Sequence, residues 1–244
     1  MKLSELLDHV AVHVLDDRTA MLNGSPDELW SQEALVRYFR EAENLYCRKA
    51  RVLKDSESTA CCEITLVANQ KDYDLHTSVL GVLSVTPADN DLDLIRFSYD
   101  AMRPRFDVTP DHFDVNITYT DTPGRPLWYA TDIATRVMRL RPTPDADAVS
   151  TIDTLNLRVV RMPLVPLSLA TPDAEPEIPG EYHLSLCDYV AFRALSNPTV
   201  DDDGKKEART FKKLFDEALR SARGETITSE AAPVQWRFGG WAIS

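Results

Sequence analysis

An α+β protein, with a helical bundle drawn from both chain ends and an antiparallel β-domain inserted between them, is predicted by three features of the 244-residue sequence. Over residues 31–53, Leu35, Tyr38, Phe39, Ala42, Leu45, Tyr46, Val52 and Leu53 recur at the spacing of one helix face. Over residues 182–223 the same period returns, in two pieces broken at Asn197 and Pro198. Between these ends lie short period-two runs punctuated by prolines. Neither helical end can bury its stripe alone, so packing the two together leaves the middle as an insertion. The expected organisation is a bundle from residues 1–58 and 180–224, an inserted sandwich or barrel-like β-domain over 59–179, and an extended C-terminal docking tail over 225–244.

A first amphipathic helix is predicted from Leu3 to Leu15, where Leu3, Leu6, Leu7, Val10, Val14 and Leu15 form a stripe that stops near Asp16 and Asp17. A turn-rich link through Asn23, Gly24, Ser25 and Pro26 follows. Ser31 is a good N-cap for the second helix, with Gln32 and Glu33 in its first turn, and Trp30 is placed to staple its start. From Ala60 the period changes to two: Cys62, Ile64 and Leu66 alternate with polar neighbours, and Tyr73 and Leu75 resume after a turn at Asn69 and Gln70. Further short strands are predicted over residues 79–85, 92–99, 113–119, 127–131, 137–140 and 155–160, separated by segments holding Pro87, Pro110, Pro123, Gly124, Pro142 and Pro144. Such spacing favours a sandwich or barrel.

Pro163, Pro166, Pro172, Pro176 and Pro179 exclude a helix from residues 162–179 and make that stretch an extended return to the end helices. Asp201, Asp202 and Asp203 suit the start of the last helix by capping and by dipole. Its stripe is Ala208, Phe211, Leu214, Phe215, Ala218, Leu219 and Ala222; Arg220 and Arg223 suit its C-terminal end, and Gly224 is placed to stop it. Residues 225–244 show no period and finish in Trp236, Phe238, Gly239, Gly240, Trp241 and Ile243.

Composition narrows the function classes. A hydrophobic share of 43% with 27% charged residues is ordinary for a globular protein. The formal net charge of -12 argues against wrapping nucleic acid over the whole surface, because phosphate binding relies on Lys and Arg displacing counterions, yet local basic faces remain compatible with it. Cys47, Cys61, Cys62 and Cys187 lack the paired spacing of a zinc site and are read as reduced thiols. Glu5, Asp8 and His9 interrupt the apolar core that a signal peptide needs, and no run approaches the length of a membrane span.

No constellation for catalysis, cofactor or metal emerges. His9 and His13 stand four apart on a predicted helix, but the third ligand and the general-base Glu of a metalloprotease are missing. Asp201–Asp203 with Gly204 resembles a calcium loop, except that the closing position is Thr210; a helix cap is the better reading. At their spacing on a helix, His183, Ser185 and Asp188 cannot form the relay of a hydrolase. The eight glycines form no phosphate loop. Lys205, Lys206, Arg209, Lys212, Lys213 and Arg220 fall largely opposite the apolar stripe of the last helix, as a solvated face or as one that meets DNA or an acidic partner through non-specific contacts. The tail aromatics, having no local structure to fold against, point to a groove on a partner.

Residues 29–42 (LWSQEALVRYFREA), Gln70–Leu75 (QKDYDL), Met162–Leu167 (MPLVPL) and Glu181–Asp188 (EYHLSLCD), leading into Lys205–Phe215, together resemble the head-to-tail adaptor proteins of tailed bacteriophages, among them tail tubular protein A of short-tailed phages. The resemblance covers both ends and the borders of the middle. It implies a ring, commonly of twelve copies, beneath the portal, in which a helical bundle carries an inserted β-domain and C-terminal segments reach a neighbouring ring. Trp236, Phe238, Trp241 and Ile243 would then dock on the portal or a neighbouring subunit. Lys205, Arg209, Lys212 and Lys213 would form a DNA-channel or partner face, and the insertion would face outward or toward the next tail or nozzle protein.

The expectation is a structural virion protein of the neck between head and tail, assembled in the host cytoplasm. It would join portal to tail and form part of the conduit for genome ejection, touching DNA transiently and using no membrane, metal or cofactor. A net acidic ring lets DNA slide without holding it, and ring closure requires one face to match a different face of the neighbour. The competing readings are a tail or neck subunit whose β-domain is a docking platform, a small cytosolic enzyme with a dispersed site, and a host-surface binding module.

Overall fold

The computed structural model describes residues 1–15, 30–89, 92–99, 122–197 and 200–230. These form two compact units, Leu53–Leu164 and the described parts of Met1–Val52 with Val165–Ser244. The fold is mixed helix and sheet, as the sequence predicts.

The helical unit opens on α1 (Leu3–His13), which buries Leu3, Leu6, Val10 and Ala11. Its first amides have no partner within the helix, and the proline-rich return supplies one: Leu3 N and Ser4 N each donate, over 2.9 Å, to Ala174 O and Pro172 O. α2 (Gln32–Leu45) starts where expected, with the Ser31 side chain accepting from Ala34 N. Trp30 does more than staple that start: buried, its Nε1 donates to Ala194 O over 3.0 Å, fixing α2 to the end of α5 (His183–Leu195). α2 runs on through a wide π-helical turn, Tyr46–Ala50, and ends at Arg51 in left-handed backbone with φ 59, short of the predicted Leu53. The buried series Leu35, Phe39, Ala42, Tyr46, Cys47 and Ala50 continues through that turn.

α6 (Asp202–Glu230) is the longest element. Asp201 caps it, its Oδ1 accepting from Gly204 N over 2.8 Å, so the aspartate cluster serves the helix start. Ala208, Phe215, Leu219, Ala222 and Thr226 form the buried stripe, whereas Leu214, assigned to that stripe from sequence, is 46% exposed. Gly224 does not stop the helix. Burial of Ala222 and Thr226 on either side carries the packing past it, and the Thr226 and Thr228 hydroxyls donate to Ala222 O and Gly224 O one turn back. The stretch expected to lack structure from residue 225 is therefore helical as far as Glu230. Trp236, Phe238, Trp241 and Ile243 lie outside the described residues. A Cβ added at Gly224 meets nothing within 4 Å. Gly224→Ala is expected to stabilise the helical unit by about 0.5–1 kcal/mol, read as a raised denaturation midpoint.

In the inserted unit, β8 (Thr154–Arg161) is the organising strand. β1 (Lys54–Asp55) and β2 (Glu63–Thr65) pair antiparallel with opposite ends of it, and β4 (Val79–Pro87) pairs along its length. Period-two alternation buries Leu155, Leu157 and Val159 on β8. On β4 the buried valines are Val79, Val82 and Val85, spaced by three because two register shifts each insert a residue. A second sheet runs β3 (Asp72–Asp74), β7 (Val137–Arg141), β6 (Trp128–Ala130) and β5 (Ile95–Arg96). Its β5–β6 pair is parallel, which corrects the expectation of a wholly antiparallel domain. Both sheets feed one core, with Tyr73, Tyr129, Met138 and Leu140 joining the β4 and β8 valines and leucines. Neither four-stranded sheet closes on itself among the described residues, so a barrel is not what these strands form.

Two short helices were not predicted from sequence. α3 (Thr59–Cys62) takes residues 60–62 out of the anticipated strand, and α4 (Ala146–Ile152) occupies a segment read as linker. Asp145 caps α4, accepting from Ala148 N over 2.7 Å. The strand anticipated over residues 113–119 lies outside the described residues, and that over 92–99 is reduced to Ile95–Arg96.

Candidate functional site

The charged surface of α6 divides into two regions. Near its start, Lys205 and Lys206 are paired within the helix to Asp202 at 3.5 Å and Asp203 at 2.7 Å. Lys212 Nζ sits 5.6 Å from the centre of the Phe192 ring, a cation–π contact that uses part of its charge locally. Arg209 and Lys213 are exposed. Of the four cations singled out from sequence, Lys205 and Lys212 are thus engaged within the protein.

The second region is concave. The π-helical turn that closes α2 presents Arg48, Lys49 and Arg51 outward while Tyr46, Cys47 and Ala50 are buried. Tyr46 meets Phe215 of α6 edge-on, with ring centres 5.5 Å apart, and the Tyr46 hydroxyl donates to Ser185 Oγ over 2.5 Å. That anchoring brings the three cations beside the C-terminal half of α6. Arg48, Lys49, Ala50, Arg51, Arg223, Thr226 and Ile227 line a cleft of ≈ 370 Å³. Lys49, Asp216, Leu219, Arg220 and Arg223 line an adjoining one of ≈ 320 Å³. No carboxylate is paired with Arg48, Lys49, Arg51 or Arg223 among the described residues. Arg220 Nε donates to the Asp216 backbone oxygen, 3.1 Å away. Sequence reasoning placed Arg220 and Arg223 at a helix end and passed over Arg48, Lys49 and Arg51. The signal, two basic clusters on separate helices, was present, but their meeting is a matter of tertiary packing.

The other residues weighed from sequence have structural roles. His183 is buried, with Nε2 2.9 Å from Ile178 O and Nδ1 2.9 Å from Met1 N, so both ring nitrogens have partners within the helical unit. Ser185 donates to Tyr182 O, and burial pushes the Asp188 carboxyl up to about 6. The three do not form a relay. The rings of His9 and His13 lie 4.8 Å apart on α1.

In the inserted unit, ligand atoms of Asp55, Cys61 and Cys62 lie within 4.8 Å of one another, the one such grouping among the described residues. Its carboxylate is already engaged by Arg161, Ser58 and two backbone amides. Burial, followed by the neighbouring Cys61 thiol, pushes Cys62 up to about 12. The cluster has the chemistry of a buried hydrogen-bonded network, with the Cys62 thiol protonated. All four cysteines are buried and none is disulfide-bonded. No described helix is long and apolar enough to cross a membrane.

Residues 1–237 match the family model described as SU10 adaptor protein. No curated protein matches the chain.

Proposed function

The chain belongs to the SU10 adaptor protein family, and from that premise we propose that it is a structural head-to-tail adaptor of a tailed phage, a ring subunit that joins portal to tail around the path of the DNA. The observation that carries this reading is the extent of the match, which spans both helical ends and the insertion between them. The function is assembly, and its working parts are surfaces. Trp236, Phe238, Trp241 and Ile243 supply the aromatic and apolar anchors that bind a groove on the portal or a neighbouring subunit. The exposed cations Arg209 and Lys213, with Lys205 and Lys212 beside them, supply a face for DNA or an acidic partner. Heterologous contacts between copies close the ring, commonly of twelve in such adaptors.

Mass photometry of the purified protein, alone and with the portal ring of the same phage, tests the proposal. A portal-bound ring is the expected species. A monomer indifferent to the portal would overturn the reading and favour a tail-side subunit. Deleting residues 234–244 is expected to leave a protein with unchanged circular dichroism that no longer joins the portal; retained joining would remove the tail from the docking role.

A further inference from the structure

We propose that the cleft between the α2 π-helical turn and α6, formed by Arg48, Lys49, Arg51, Arg220 and Arg223, seats the phosphate backbone of duplex DNA without regard to sequence. The inference rests on the adaptor reading for its setting. It moves the DNA contact from the start of α6, where lysines are paired with aspartates, to the opposite half of the helix.

Charge is the first argument. The chain carries 39 Asp and Glu against 27 Lys and Arg, so carboxylates to neutralise a basic cluster are plentiful. Yet Arg48, Lys49, Arg51 and Arg223 line one cleft with no paired carboxylate among the described residues. Crowding like charges opposes folding, and an external anion relieves it. Three of the four are arginines, whose planar forks suit phosphate oxygens in pairs.

Shape is the second. At 100° per residue, Arg209, Lys213, Arg220 and Arg223 fall within a sector of about 80° on α6, and Arg209 to Arg223 covers about 21 Å along the axis. A DNA strand places a phosphate about every 3.4 Å along the duplex, so a straight row of flexible cations ending in a cleft can follow several of them.

The lining decides between DNA and a second copy of the chain. A protein–protein contact draws its strength from an apolar centre with aromatic anchors. Ile227 is the one exposed large apolar side chain in this lining, and the cleft holds no aromatic residue. Protein–DNA contacts are more polar and far more basic, which is the composition found. The lining contains no Asn or Gln to read adenine, and the Thr226 hydroxyl already donates to Ala222 O, so its arginines and lysine are assigned to phosphates rather than base edges. A contact of this kind on a chain of net charge -12 is weak and salt-labile, as suits DNA that must move past it.

Fluorescence anisotropy of the full chain titrated onto two labelled duplexes of unrelated sequence, between about 50 and about 200 mM salt, tests the proposal. Equal affinity for both duplexes is expected, falling linearly with salt on logarithmic axes. Arg48→Ala with Arg223→Ala, two exposed sites, is expected to reduce that slope by about 2, whereas Lys71→Ala, at an exposed site of the inserted unit, leaves it near the wild-type value. Arg48→Glu with Arg223→Glu is expected to weaken binding at least about tenfold with an unchanged circular dichroism spectrum. Undetectable binding at the lowest salt, or slopes unaltered by the cleft variants, would overturn the proposal. So would variants that change self-association in sedimentation while leaving DNA affinity intact, which would make the cleft a subunit contact. Portal recruitment measured on the same variants separates the two readings: ring formation without DNA binding defeats this inference alone, and DNA binding without ring formation defeats the adaptor reading alone.

Discussion

Arg161→Ala is expected to cost the inserted unit about 3–5 kcal/mol, because it strands a buried carboxylate. Arg161 is 8% exposed and its Nε lies 2.5 Å from Asp55 Oδ2. Asp55 also accepts from Ser58 Oγ at 2.6 Å and from the amides of Glu57 and Ser58 at 2.9 and 3.1 Å. Burial alone would raise the Asp55 carboxyl. The Ser58 hydroxyl, the two amides and Arg161 together outweigh it and hold the group well below the usual carboxylate range.

Removing the guanidinium leaves the desolvation and takes away the compensating charge. Replacing both partners, Asp55→Leu with Arg161→Met, is expected to recover most of the loss, since an apolar pair needs no such compensation. Hydrogen exchange at the β8 amides would read both effects; a single variant as protected as wild type would defeat the argument. The linkage has a definite sign. With the folded value depressed, the contribution of Asp55 is present above its unfolded value near 4 and is lost as pH falls below that.

In the helical unit the pH dependence runs the other way, through Glu43. This residue is 2% exposed on α2 and accepts from Glu177 N over 2.7 Å. Burial is the main cause that pushes its carboxyl up to about 7, with the Glu177 charge adding to it and the amides of Glu177 and Ile178 opposing it. A raised folded value means that the folded state holds its proton more tightly than the unfolded chain. The resulting stability is complete below about pH 4 and is lost as pH rises through about 7, a change of about 3 kcal/mol. Asp188, also raised by burial, acts in the same direction. Urea unfolding of the helical unit between pH 5 and pH 8 is expected to show falling stability, and Glu43→Gln to flatten most of the slope. An equal slope in that variant would place the effect elsewhere.

The helices were legible in sequence where a stripe and a cap coincide. Ser31 and Asp201 cap as expected, and the stripes of α1, α2 and α5 are buried largely as spaced. What failed was local punctuation set against packing. Gly224 and the charges before it read as a helix end, but a glycine costs a helix only about 1 kcal/mol, less than burial of a further turn supplies. α4 was hidden by Pro142 and Pro144 just before it and by its brevity. The strands were found as apolar runs, but the bulges that put β4 out of step with a period of two depend on its partner β8. The same reasoning explains the basic cleft. Arg48, Lys49 and Arg51 are far from Arg220 and Arg223 in sequence, and only the seating of Tyr46 against Phe215 brings them together.

The pairing of β1 with the end of β8 also bears on the order in which the chain folds. Lys54 stands opposite Val160, and Arg161 N donates to Leu53 O, so the inserted segment finishes beside the point where it starts. Before that pairing forms, bringing α2 to α5 means closing a loop of about 130 residues. Afterwards about 24 residues, 51–53 and 162–182, remain to be closed, which lowers the entropic cost of joining the helices by about 1.5 kcal/mol. A β-domain that folds first would thus act as an intramolecular clasp, delivering the two halves of the bundle to each other, and its interior could change length without lengthening that search.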